Sequence, residues 1–462
     1  MARQNHVIAI IVVVLIVFAV VGGYFWFRVQ KRLLRGRRDR DSSSSSASSS
    51  IVGGPSSAPV APPAPPYSEL PRHADVVQPV RVYPSRFLTS TLAVYAELHS
   101  VEPASLSVQV LVYLMDSQAV QNHLSISAHD RNIITCLEFD DDKILTASEA
   151  GTIQVHDIKS GTLRASLTGH EGGIWGIGIY GNTLVSGSTD KTVRVWDVAR
   201  AECTHVFHGH SSTVRCIQIV PPSPGRAMPV IVSASRDSTL RVWRLPRPGD
   251  EEPGDTDCPY LIHVLSGHEK TVRAIAAHDD TVVSGSYDCT VRVWRISTGE
   301  SVHKLQGHTK NIYSVVLDHE RNRCISGSMD NTIKVWSLDT GSLVYNLEGH
   351  TSLVSLLDLR DNLLVSGSAD STLRIWNPDT GECLQVLRGQ TGAITCFQHD
   401  GHKVIAGSGR DLTLWDVRTG ERLRDLLTDL DGVWQVRFDG QRCVAAVMRN
   451  KTASIQVFDL SG

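Results

Sequence analysis

Hydrophobic and polar positions divide the chain into four stretches of different character. The first, Val7 to Phe27, carries no charged residue and is dominated by Val, Ile, Leu and Phe. About 20 apolar residues suffice to cross the hydrocarbon core of a bilayer as a helix, so residues 1–28 are expected to form a transmembrane segment with a short N-terminus. Arg28, Lys31, Arg32, Arg35, Arg37, Arg38 and Arg40 follow it, whereas Arg3 is the one full side-chain charge before it. The positive-inside rule then leaves the rest of the chain in the cytosol, as a single-pass membrane protein. A cleaved signal peptide, the rival reading, would carry its charges before the apolar run and a small-residue site after it. Residues 29–85 join this basic flank to a Ser-rich and then Pro- and Ala-rich run, which cannot bury a core and reads as a disordered linker. Apolar residues return over 86–120. There Leu111, Leu114 and Met115 fit a helix, while Val108, Val110, Val112 and Leu114 alternate as a strand would. A short ordered connector is expected.

The fourth stretch, 121–462, repeats itself. Gly-His occurs at 169–170, 209–210, 267–268, 307–308 and 349–350, with Gly389-Gln390 as a degenerate copy. Between these marks stand Trp196-Asp197, Trp243-Arg244, Trp294-Arg295, Trp336-Ser337, Trp376-Asn377 and Trp415-Asp416, with His156-Asp157 and Phe458-Asp459 as weaker copies at the ends. A period of about 40 residues with these two marks is the signature of a four-stranded WD-repeat propeller blade. Eight marks predict an all-β, eight-bladed propeller. The chain stops soon after the eighth mark, so the alternating run from Asn122 to Ser127 is expected to supply that blade's outer strand and remove an exposed sheet edge.

Most of the polar repeat residues read as scaffold. In repeats of this kind His170, the Ser186/Ser188 pair, Asp190 and Trp196 would form one hydrogen-bonded set, and the other blades would copy it. The run His205, His208, His210 resembles a metal site, but His210 is a Gly-His copy, and neither metal nor cofactor is expected. The nine cysteines have no C-x-x-C pairing and read as small apolar filler. A formal net charge of -3 gives no general attraction to nucleic acid, which is not expected as a partner. No nucleophile–base pair or phosphate loop stands out, so an enzyme is not expected.

Comparing blades slot by slot separates scaffold from function. Arg194, Arg241, Arg292, Lys334 and Arg374 all stand two residues before the Trp, and a charge that recurs in every blade reads as a solvated strand pattern. The slot five residues after the His (six in the first blade) varies instead, holding Thr135, Trp175, Arg215, Arg273, Tyr313, Ser355 and Thr395 in successive blades, with Trp434 at the equivalent place in the last. The slots flanking the turn Asp vary too, with Thr189 and Lys191, Arg236 and Ser238, and Tyr287 and Cys289; Arg449 lies in the matching turn of the last blade. The Gly-His loop and the Asp turn share one face of a blade, and the insertions 221–229 and 246–259 fall on the other. On the uncluttered face Lys191, Arg215, Arg236, Arg273 and Arg449 would form a basic patch, lined by Trp175, Tyr287, Tyr313 and Trp434. Clustered guanidiniums beside aromatic surface suit a phosphate on a short peptide. The alternative is that these arginines pair with neighbouring acids such as Asp237.

The stretches FHGHSSTVRCIQIV, SASRDSTLRVW, SGSYDCTVRVW and GVWQVRFDG resemble the propeller of fungal F-box/WD-repeat proteins of the cell-division-control type, substrate receptors of SCF ubiquitin ligases. The resemblance covers His129 to the C-terminus. It implies binding of phosphorylated Ser/Thr-Pro degrons, with Arg215, Arg236 and Lys191 at the three principal phosphate-binding positions. It also puts Trp175, Thr189, Tyr287 and Arg449 along the peptide groove. Two departures accompany it: lysine cannot form a bidentate fork, and no F-box with its Leu-Pro start is found, since Leu106 to Leu124 runs straight into the propeller. The chain is therefore expected to be a non-enzymatic phosphodegron receptor; the alternative is a membrane-tethered scaffold without a ligase role. A nuclear or cytosolic protein is the alternative to membrane attachment.

Overall fold

The computed structural model describes residues 123–247, 249–250 and 259–460. The expected membrane span, linker and connector lie outside them. Among the described residues no helix is long and apolar enough to cross a membrane. Thirty-two strands form eight four-stranded antiparallel sheets. Blades 1 to 7 are continuous meanders over 134–167, 174–207, 214–265, 272–306, 312–347, 354–388 and 396–427. Blade 8 takes three strands from 432–459 and its fourth from the other end of the described chain.

That fourth strand is β1 (His123–Ser127), paired antiparallel with β32 (Thr452–Asp459). Ile126 opposes Ile455 and is buried among Ala453, Ile455 and Val457, while the His123 ring stacks on Phe458 with centroids 4.5 Å apart. The closing strand expected near 122–127 is therefore present. It covers a backbone edge that would otherwise be free to pair with another chain.

Second strands such as Thr183–Ser188 and Val230–Ser235 are buried nearly throughout, because each blade packs a neighbour against both of its faces. The blade tryptophans are the wedges. Trp294 packs into blade 3 among Val232, Leu240 and Val242, and Trp336 into blade 4 among Val283, Val291 and Leu305. Each buried indole N–H has a partner. Trp196 Nε1 donates to Ser186 Oγ at 2.8 Å, and Ser186 in turn contacts His170 Nε2 at 2.7 Å. His170 Nδ1 meets Asp190 Oδ2 at 2.7 Å, and Thr192 donates to Asp190 Oδ1 at 2.7 Å. The same five-membered set recurs around His210, His268, His308 and His350. Of the Ser186/Ser188 pair, then, Ser186 belongs to the set. Ser188 braces the turn instead, donating to the Gly172 carbonyl and accepting from the Asp190 amide.

The expectation of a solvated charge row before the Trp is corrected. Arg241, Arg292 and Arg374 each donate to the carbonyl of their own Gly-His glycine at 2.8 Å and lie over the blade Trp at 5.7–5.9 Å. Lys334 is buried and donates to Asn346 at 2.7 Å. In those three arginine blades the residue latches the Gly-His loop to its own sheet. The first insertion does fall on the opposite face, between Val220 and Val230, and the described residues of the second lie between Arg244 and Leu261.

Candidate functional site

The variable slot five residues after the His has a backbone cause. In seven of the eight first strands the pairing register shifts there, so Thr135, Trp175, Arg215, Arg273, Tyr313, Ser355 and Trp434 are each the extra residue of a β-bulge. A bulged residue is released from ladder pairing, and its side chain is re-aimed. Short residues serve structure here: the bulged Thr135, and Thr395 in the unbulged strand of blade 7, donate to the Ile174 and Val433 carbonyls of the following blade. The long residues of blades 2 to 5 meet one another instead. The Arg215 guanidinium lies 4.6 Å above the Trp175 ring, and the Arg273 guanidinium lies 5.8 Å from the Tyr313 ring. Tyr313 sits 5.3 Å from Tyr287, centroid to centroid.

The two flanks of the turn Asp differ in position. The residue before it is bound to the bulged strand: the amides of Thr189, Arg236 and Tyr287 donate to the carbonyls of Gly173, Thr213 and Thr271, each two residues short of the bulge. The residue after the Asp adopts left-handed backbone angles at the outer turn, as in Lys191 (φ 73°), Ser238 (72°) and Cys289 (69°). Arg236 therefore stands beside the bulge residues, whereas Lys191 occupies the flank away from the first strand. Burial, and then the charges of Arg273 and Arg236, depress the Arg215 guanidinium below its ordinary value. Burial and the Tyr287 hydroxyl push the Tyr313 phenol up. The structure thus brings the charges of Arg236 and Arg273 to bear on Arg215; Lys191, which the resemblance places among the three principal cations, is exposed at the turn of blade 2, as Arg236 is at the turn of blade 3.

Among the described residues, none of these three arginines has a carboxylate within ion-pair distance. Asp237, the acid next to Arg236, is engaged elsewhere: it binds His210 at 2.8 Å, Thr239 at 2.7 Å and the Ser211 amide at 2.9 Å. Pairing with blade acids is therefore not what holds the cluster. Like charges gathered without counter-charge form a site ready for an anion. Beside it lies a recess of about 210 Å³, lined by Thr135, Trp175, Arg215, Gln435 and Arg437 among others. Gln435 follows the bulged Trp434 and donates to the Thr135 carbonyl, tying blade 8 to blade 1. Trp434 is exposed, and Arg449 is docked on the Thr428 carbonyl at 2.9 Å. Both lie on blade 8, with blades 1 and 2 between them and Arg215.

A larger cleft, about 480 Å³, is lined by Asp197, Arg200, His205, Arg247 and Asp250 among others. His205 there contacts the Tyr260 hydroxyl at 3.1 Å, while His210 belongs to the buried set of blade 3 and His208 is exposed. The three histidines adjacent in sequence are thus sent to different places.

Six stretches, 161–197, 201–244, 259–295, 299–337, 341–377 and 381–416, match the family described as WD domain, G-beta repeat. They close on the Trp marks of blades 2 to 7. WD repeat-containing protein pop2 of Schizosaccharomyces pombe is 53% identical over 362 residues, 74% of this chain and 51% of that protein. Cell division control protein 4 of Candida albicans is 44% identical over 354 residues, 72% of this chain and 52% of its own length. The Saccharomyces cerevisiae protein of that name is 38% identical, at 74% and 48% coverage. The chain spans about half the length of these relatives. Among solved structures, the computationally designed Ika8 protein superposes with a TM-score of 0.62 at 30% identity, covering 72% of this chain and 99% of its own.

Proposed function

The chain belongs to the WD-repeat family, beside relatives of the cell-division-control type, and from that premise we propose that it is a non-enzymatic substrate receptor that binds phosphorylated Ser/Thr-Pro peptides for ubiquitin-dependent degradation. One observation carries this reading: Arg215, Arg236 and Arg273 gather with no carboxylate within ion-pair distance among the described residues, next to aromatic rings. A phosphate monoester brings a charge of about -1.5 to -2 and three strong acceptors, which forked guanidiniums bind well. On this reading Arg273 takes the third phosphate contact in place of Lys191. Trp175, Thr189, Tyr287 and Tyr313 border the bound peptide, and Trp434 and Arg449 receive its far end. The apolar run 7–27 would hold the receptor at the cytosolic side of a membrane.

The test is binding of a fluorescent phosphothreonine-proline peptide and its unphosphorylated twin. Hydrogen bonds to charged groups are worth roughly 1.5–3 kcal/mol, so Arg215→Ala, Arg236→Ala and Arg273→Ala should each weaken phosphopeptide binding by about tenfold or more. Lys191→Ala removes an exposed charge and should cost less than about fivefold. Equal affinity of the native protein for both peptides would end this reading.

A further inference from the structure

Two guanidiniums side by side with no carboxylate repel each other, and Arg side chains also carry roughly 2 kcal/mol of rotamer entropy. Left to themselves Arg215 and Arg273 would splay into solvent. The bulge slots of four successive blades read Trp175, Arg215, Arg273 and Tyr313, so the cations occupy the middle and the rings flank them. Arg215 lies on the Trp175 face at 4.6 Å, and Arg273 lies within 5.8 Å of the Tyr313 ring. Tyr313 is itself backed by Tyr287 at 5.3 Å. Ring faces carry partial negative charge and attract a cation within about 6 Å, with no hydrogen-bond capacity taken from it. The cations are thus held in place while their N–H groups stay available, an arrangement an aspartate neighbour could not provide.

We infer that Trp175 and Tyr313 are positioning residues that clamp Arg215 and Arg273 from outside, and that the clamped pair selects a doubly charged tetrahedral anion over a singly charged one. The inference rests on the phosphopeptide reading above and adds its charge specificity. A dianion satisfies both guanidiniums at once. A monoanion of the same shape leaves one of two adjacent cations uncompensated in a partly buried site.

A matched pair of probes separates charge from shape. One threonine-proline peptide is prepared as its O-phosphate, its O-sulfate and unmodified; the sulfate ester keeps the tetrahedral geometry but carries a single charge. At pH 7.5 the native full-length protein should prefer phosphate over sulfate by about tenfold, one charge-assisted contact. Lowering the pH below the ester's second pKa of about 6 should shrink that preference, because the phosphate then becomes a monoanion. Trp175→Leu and Tyr313→Leu should each weaken phosphate binding by roughly three- to fivefold, the scale of a cation–π contact, and should also shrink the phosphate-to-sulfate ratio. Trp175→Phe and Tyr313→Phe keep a ring in each position and should preserve the ratio while losing less affinity than the Leu variants. If Trp175→Leu lowers all three peptides by one factor, or leaves the ratio intact, the rings are ordinary contact surface and the clamp is wrong. If the native protein binds phosphorylated and unmodified peptide alike, the phosphopeptide reading falls first.

Discussion

A Cβ placed on Gly176 would lie 2.9 Å from the Ile217 amide nitrogen and 3.1 Å from the Arg215 carbonyl oxygen. Both obstacles are backbone atoms of the next blade, so they cannot rotate away. The glycine after the bulged Trp175 is what lets the first strands of blades 2 and 3 approach, and that approach brings the indole under the guanidinium. Gly176→Ala should destabilise the protein by about 1–3 kcal/mol through overpacking. It should also weaken phosphopeptide binding without changing the weak binding of the unphosphorylated peptide, measured on protein kept below its unfolding temperature. Arg292 makes the contrasting case. It carries the same charge, but its guanidinium is committed to the Gly267 carbonyl and the Trp294 ring. Arg292→Ala should lower the melting temperature by an amount corresponding to roughly 1 kcal/mol. Phosphopeptide affinity should stay within about twofold, the range expected of a change away from the site.

Blades differ as elements in how their buried polar set is built. Blade 7 has Ala406 where blade 2 has Ser186, and Gln390 where it has His170. With its amide oriented to suit both neighbours, Gln390 donates to Asp411 at 2.6 Å and accepts from Trp415 Nε1 at 3.3 Å, spanning the gap in one step. Blade 1 departs further, with Ala150 in place of the Asp and His156 in place of the Trp. His129 there contacts Thr146 at 3.0 Å and Thr152 at 3.1 Å, with no carboxylate, and burial lowers its pKa to about 4. His156 is lowered by burial as well. In blade 6, by contrast, burial works against ionisation of Asp370, but Thr372, the Thr351 amide and His350 outweigh it and hold the carboxylate at about 2. The signs follow from linkage. The unfolded chain protonates His129 below about 6.5 while the folded chain resists until about 4, so blade 1 loses stability as pH falls through that window. The Asp370 contribution is present above the unfolded carboxylate value near 3.9 and is lost only as pH falls toward about 2. Burial lowers His350 in blade 6 as well, so hydrogen exchange at pH 5 compared with pH 7, after correction for intrinsic rates, should show the larger rise in opening in 123–167, where His129 and His156 are both lowered.

For the whole molecule the critical joint is where the two ends of the described chain meet. Seven blades are local meanders, but blade 8 exists as a four-stranded sheet only when β1 crosses to β32, more than 300 residues away in sequence. Closing so long a loop costs conformational entropy that only the finished ring repays. Ile126 is the anchor, 6% exposed within the blade 8 and blade 1 cluster. Ile126→Ala should cost about 2–5 kcal/mol and expose the β32 edge. Exchange should rise first in 452–459, and the protein should become more prone to aggregate on heating. An equal rise across all blades would mean that the ring opens elsewhere.

Blade number and the position of the closing strand are written in the chain, because a repeat that cannot bury its own faces repeats its apolar and turn residues wherever a neighbour must pack. Slot comparison also found Arg215, Arg236 and Arg273, since a scaffold leaves variation where it has no need of a given side chain. It misjudged the row from Arg194 to Arg374, because periodicity marks a shared environment without saying whether that environment is solvent or a loop carbonyl. The slots set Lys191 in the basic patch and the resemblance set it among the three principal cations; the structure adds that residue 191 is left-handed at its turn, a difference between the two flanks of the Asp that a sequence does not show. Bulges leave no mark in composition either. That Trp175, Arg215, Arg273 and Tyr313 are released from their ladders and brought ring against cation depends on register between strands and on the spacing of four blades, and only the tertiary structure decides those distances.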